Sequence, residues 1–209
     1  MSAIYVYPEL ETIFIHMPKC GGQSIQSYFD CLTKSKKQFH GHIPEKYQSY
    51  WKFTIVRNPA DRLISAWTYC QKMKWFPKPR ILPRWKNSSS LHQFLKLLER
   101  WKDRPVSPIN FREFREIPEF MSVHHAAAMT HPDRCISRLD YVGRFEVFPN
   151  VIEELSKRFG FKIDNRHCNR TEHADFKKYY DLSLKKKVNE FFAEDFSRFC
   201  YPLFELTSD

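Results

Sequence analysis

Apolar positions along the chain fall into two periods. Ile13, Phe14 and Ile15 make a short continuous run whose length and composition suit a buried strand. Past Pro18 and the pair Gly21-Gly22, the apolar residues Ile25, Tyr28, Phe29 and Leu32 recur at spacings of three and four, the stripe of a helix. The same alternation returns downstream. Lys52-Phe53-Thr54-Ile55-Val56 predicts a second buried strand, and Leu63, Ile64, Ala66, Trp67 and Cys70 predict the helix after it. Asn58 suits the N-cap of that helix and Pro59 its first position. A third strand is predicted from Leu139 to Phe145, followed by a helix from about Pro149 to Phe159 that Gly160 stops.

Three further helices follow from the same stripe. Leu91, Phe94, Leu95, Leu97, Leu98 and Trp101 share one face, and Phe120 to Met129 reads as helical, its His124 and His125 assigned to packing or surface. The last helix runs through Leu184, Val188, Phe191, Phe192, Phe196 and Phe199, a regular stripe of core residues. Strands alternating with helices predict an α/β protein with a central, mostly parallel sheet flanked by helices. Residues 72–90, rich in Pro, Trp, Lys and Arg, have no period, and Pro105 to Pro118 is also irregular. The expected organisation is one domain over 1–209 with an acceptor-side insertion at about 71–135.

Composition narrows the partner. The chain has 209 residues, 42% hydrophobic and 16% aromatic, which suits a globular protein with a sizeable core. Its net charge of +10 is spread along the sequence and points to a cleft for an acidic ligand. No apolar run approaches the ~20 residues of a membrane span. Met1 to Leu10 lacks a basic stretch followed by an apolar one, so no signal peptide is expected and the expected location is cytoplasmic. The six cysteines form no C-x-x-C pair, which argues against a zinc ribbon or a redox dithiol.

Candidate chemistry sits where strands give way to helices. Strand, Lys19-Cys20-Gly21-Gly22, helix is a geometry that aims backbone N–H groups and the positive helix end at one anion. Lys19 adds a mobile charge and Ser24 a hydroxyl in the first turn. The common nucleotide loop has its lysine after the glycines, beside a Ser or Thr; here Lys19 precedes them. A plain strand-to-helix turn with a solvated lysine is the alternative. Arg57 is expected at the carboxyl end of the second strand, the ligand edge of an open α/β sheet, with a salt bridge to Asp61 as the alternative. His40-Gly41-His42 before Pro44 reads as a loop or strand end with a candidate base or ligand.

In that order, Pro-Lys-x-Gly-Gly-x-Ser, His-Gly-His and Val-Arg-Asn-Pro-x-x-Arg-Leu-x-Ser resemble the carbohydrate-type sulfotransferases, closest to the group holding the uronyl 2-O-sulfotransferases and small bacterial and viral members. Tyr141 to Glu146 and the segment from Asn169-Arg170-Thr171 to Asp181 look like later blocks of that family. The resemblance implies a three-layer, P-loop-like fold. It also implies transfer of a sulfuryl group from 3′-phosphoadenosine 5′-phosphosulfate (PAPS) to a hydroxyl acceptor, most simply a glycan, with no metal and no nucleic acid partner. Lys19, Cys20, Gly21, Gly22, Gln23 and Ser24 would form the 5′-phosphosulfate loop, and Arg57 and Ser65 would grip the 3′-phosphate. His42 would be the base, with His40 supporting it or contacting substrate; the sequence does not decide between the two histidines. Trp75, Arg80, Arg84 and Arg170 are acceptor candidates. Cys20 and Gln23 stand where the family often has hydroxyl residues. A P-loop-like small-molecule or nucleotide kinase, or a non-catalytic polyanion binder, is the alternative function.

Overall fold

The stretch Pro8–Leu10 after the first strand is too short for anything but an antiparallel return, and the computed structural model of the chain forms one there. The structure describes residues 3–40, 43–72, 90–99, 139–162 and 175–206, and they fall into two compact units.

The first unit holds a five-stranded sheet. Its strands are β1 (Ala3–Tyr7), β2 (Thr12–His16), β3 (Lys37–His40), β4 (Trp51–Val56) and β5 (Tyr141–Arg144), in the order β3-β1-β2-β4-β5. β2, β4 and β5 are parallel, whereas β1 pairs antiparallel with both β2 and β3. The expectation of a mostly parallel sheet therefore holds for one half only. The missed element is β1, whose run Ala3-Ile4-Tyr5-Val6-Tyr7 carries the β-branched and aromatic residues of a strand. β3 confirms the reading of a strand end before Ile43.

Each face of the sheet has its own chemistry because side chains alternate along a strand. Ile4, Val6, Ile13 and Ile15 make an aliphatic face packed with Ile43 and Tyr47. The opposite face is aromatic: Phe14 stacks on Tyr5 and Phe53, with ring centres 6.3 and 4.9 Å away. Helix α1 (Gly22–Leu32) lays Phe29 on that face, 5.0 Å from Tyr7 and 5.4 Å from Phe53. Gly143 in β5 brings a second helix close, since a Cβ there would lie 2.8 Å from Ile55 and 2.9 Å from Val151.

The second unit begins at Asn58, whose Oδ1 accepts from the Ala60 and Asp61 amides (2.9 and 3.4 Å) and caps α2 (Pro59–Lys72) as expected. α3 (Leu91–Glu99) buries Leu91, Phe94 and Leu95. In the first unit, α4 (Phe148–Phe159) runs from β5 to Gly160, whose φ of 72° ends it. The final stripe is two helices, α5 (Leu182–Phe191) and α6 (Ala193–Arg198), which break at Phe192; Leu184, Val188, Phe192, Phe196 and Phe199 are buried as expected, whereas Phe191 is only half-buried. Arg62 Nη2 donates to Asp195 Oδ2 across 2.7 Å, both groups buried, and ties α2 to α6. Tyr180 donates its hydroxyl proton to the Ala60 carbonyl (2.8 Å), and burial pushes its phenol well above the usual range. Among the described residues, no helix is long and apolar enough to cross a membrane.

Candidate active site

β2 ends at His16, and the next six residues build the turn that starts α1. Lys19 has φ 65° and Gly21 φ 76°, while Cys20 between them and Gly22 after them are not left-handed. Left-handed residues alternating with others are the pattern of backbone nests, in which successive N–H groups converge on an anion. α1 adds the positive end of its dipole at the same place. Among the described residues, the Gly21 and Gly22 amides have no acceptor. A left-handed lysine costs about 1 kcal/mol or more, and such strain persists where the surroundings over-determine it.

Two side chains supply that constraint. Cys20 is fully buried and its thiol donates to the Pro18 carbonyl (3.5 Å). The side chain at position 20 thus closes the turn, and a hydroxyl there would make the same bond. Arg57, one residue past β4 and 8% exposed, donates from Nη1 to the Lys19 carbonyl at 3.2 Å. Its guanidinium lies 4.5 Å from the centre of the Phe145 ring. Phe145 and Phe148, 5.7 Å apart, also back the loop, since a Cβ on Gly21 would lie 3.1 Å from Phe145 and 2.8 Å from Phe148.

His16 supports the turn from beneath. A Cβ on Gly22 would land in its imidazole, so only glycine lets the helix start there. Gln26 places its amide nitrogen 3.3 Å from His16 Nδ1 and also bonds the Tyr5 hydroxyl. An amide nitrogen only donates, so Nδ1 accepts and the neutral ring carries its proton on Nε2. Burial pushes the imidazole down to about 4. Sequence reasoning gave His16 no role. It closes a strand whose other residues are core, and only its place under Gly22 sets it apart.

The loop residues and Arg57 come together as expected. Ser24 is buried, and its amide donates to the Gly21 carbonyl at 3.1 Å, so the amides without an acceptor among the described residues lie earlier in the turn. Gln23 is exposed. Ser65 lies on α2 in the second unit and is 2% exposed. For His40 the structure describes the backbone, which stands opposite Ala3, itself opposite His16. His42, Trp75, Arg80, Arg84 and Arg170, with the helix expected over 120–129, lie outside the described residues. Among the described residues, no cluster of three or more His, Cys, Asp or Glu is placed to hold a metal.

No curated protein and no solved structure matches the chain. A family model described as the sulfotransferase family matches residues 2–202. With the match covering nearly the whole chain, from β1 to the residues after α6, the protein belongs to the sulfotransferase family.

Proposed function

We propose that the protein transfers a sulfuryl group from PAPS to the hydroxyl of a carbohydrate, in a P-loop-like α/β setting and within a single catalytic domain over 1–209. The observation that carries this is the turn at Lys19 to Gly22, with two amides that have no acceptor among the described residues and Arg57 hydrogen-bonded to its backbone. The donor set fits a molecule with phosphate groups at two positions. Amides and a helix N-terminus suit one, and a fork-shaped guanidinium suits the other. When bound, PAPS supplies a sulfuryl group activated by its anhydride link to phosphate.

The chain's own residues do the rest. The Gly21 and Gly22 amides of the turn hold the 5′ end, and Lys19 places its ammonium where negative charge grows on the leaving oxygen. Stabilising such charge in a site already organised for it is worth a factor of about 100 to 1,000 in rate. Arg57, with Ser65 on the resemblance alone, binds the 3′-phosphate. His42 takes the proton of the acceptor hydroxyl, and His40 supports it or contacts substrate. Trp75, Arg80, Arg84 and Arg170 form the acceptor side, within an insertion at about 71–135 and the polar segment after α4.

The test is transfer of labelled sulfate from PAPS to a panel of glycans by the native protein and its Lys19→Ala, Arg57→Ala and His42→Ala variants. Each variant is expected to lose transfer while its thermal unfolding stays cooperative. Full activity in His42→Ala would remove that residue as the base.

A further inference from the structure

Arg57 and Phe145 are neighbours by register. Val56 stands opposite Arg144 in the parallel pair β4–β5, so the next residue of each strand leaves the sheet beside the other. The outcome is a guanidinium 4.5 Å from the centre of a half-buried ring that is itself backed by Phe148. The same two rings touch the anion loop at Gly21. One aromatic pair therefore meets both the loop and the guanidinium.

An aromatic face fixes the plane of the guanidinium through its π cloud, leaving the charge in place and the N–H groups directed around the plane. One of those N–H groups already meets the Lys19 carbonyl, which fixes rotation within the plane. The ring constrains the tilt of the fork and the carbonyl its turn before any ligand arrives.

We propose that Phe145 is a positioning residue for Arg57, holding the plane of the guanidinium for a phosphate group of the nucleotide. This rests on the assignment of Arg57 to the 3′-phosphate, and the measurements below separate the two. A loss exerted through Arg57 is confined to the ligand that uses that arginine, whereas a loss exerted through the loop at Gly21 would fall equally on both nucleotides.

The experiment is calorimetric binding of adenosine 3′,5′-bisphosphate and of adenosine 5′-monophosphate. It uses the native protein, Phe145→Leu, Phe145→Met, Phe145→Tyr, Arg57→Ala and the double variant Arg57→Ala/Phe145→Leu. Phe145→Leu is expected to weaken the bisphosphate about fivefold, the affinity equivalent of one half-exposed cation–π contact, and the monophosphate less than twofold. Phe145→Tyr, which keeps the aromatic face, restores native affinity. In the Arg57→Ala background, Phe145→Leu adds no further loss. Phe145→Met is read in the same way, so a folding defect peculiar to leucine does not decide the outcome. Unchanged bisphosphate affinity in both aliphatic variants overturns the proposal, as does an equal loss with Arg57 already removed. A native protein that binds both nucleotides equally overturns the 3′-phosphate assignment itself, and this proposal with it.

Discussion

Arg57 Nη1 donates to the backbone carbonyl of Lys19 across 3.2 Å, joining the end of β4 to the loop that follows β2. The bond is made to a residue in the left-handed region, φ 65°. A side chain proposed to bind ligand thus also holds the backbone of the loop proposed to bind it. Strain at Lys19 and the contact that maintains it belong to one unit of structure.

Separating charge from conformation at Lys19 is therefore informative. Lys19→Gly relieves the left-handed strain and is expected to raise stability by up to about 1 kcal/mol. Lys19→Ala keeps the strain and is expected to change stability by less than about 0.5 kcal/mol. Both remove the ammonium, so both are expected to lower kcat about 100-fold or more. Urea denaturation alongside sulfate transfer checks the pair; a stabilised Lys19→Gly that keeps native kcat would mean the lysine has no part in the chemistry.

Gly22 and His16 form the second dependence. A Cβ on Gly22 would occupy the imidazole, so Gly22→Ala is expected to cost about 3 kcal/mol, the upper range for overpacking. Combining it with His16→Ala opens the space again. The double variant is expected to be more stable than Gly22→Ala alone, a non-additivity read from urea midpoints. Simple addition of the two losses would show that the ring is not what excludes the methyl group.

Stability should also fall in mild acid because of His16. Its native pKa is pushed down to about 4 by burial, against about 6.5 in an unfolded chain. Above pH 6.5 the ring is neutral in both states and costs nothing. Between pH 6.5 and 4 the unfolded chain takes up the proton and the native protein does not, so stability drops, by about 3 kcal/mol in total, and levels off below pH 4. Unfolding free energies from pH 8 to 4 in native protein and His16→Phe isolate this contribution, and the variant's slope is expected to be shallower over that window. Identical slopes would assign the acid sensitivity elsewhere.

Arg62 and Asp195 are buried together in the second unit. Arg62→Met leaves the carboxylate without its partner and is expected to cost about 3–5 kcal/mol. Arg62→Met with Asp195→Leu is expected to recover most of it, as replacing a buried ion pair by apolar residues is often close to neutral. Chemical denaturation of both variants provides the comparison.

Much of the site was legible because its signals are local. Pro18, Lys19 and the two glycines mark the turn, and Asn58-Pro59, directly after Arg57, marks the start of α2. β1 was legible in kind, since Ile4, Tyr5, Val6 and Tyr7 are strand formers, but those residues also read as an unremarkable N-terminus. His16 and Phe145 were not legible, because each owes its role to a neighbour from another element: Gly22 above the imidazole, and Arg57 beside the ring by register. Cys20 stands where the resemblance puts a hydroxyl residue. Its thiol bonds the Pro18 carbonyl, a side-chain direction that no spacing encodes. The break at Phe192 falls within an unbroken apolar stripe, and nothing in the period marks it.

The central claim is that the loop and Arg57 bind a nucleotide carrying a 3′-phosphate. Its most direct test is thermal stability of the native protein with adenosine 3′,5′-bisphosphate, compared with ADP and with ATP plus magnesium. At ~100 times its Kd, a ligand bound only by the native state adds about 2.7 kcal/mol, so a clear rise in Tm with the bisphosphate alone is the predicted result. A rise with ATP and magnesium and none with the bisphosphate would contradict the claim and point to phosphoryl transfer.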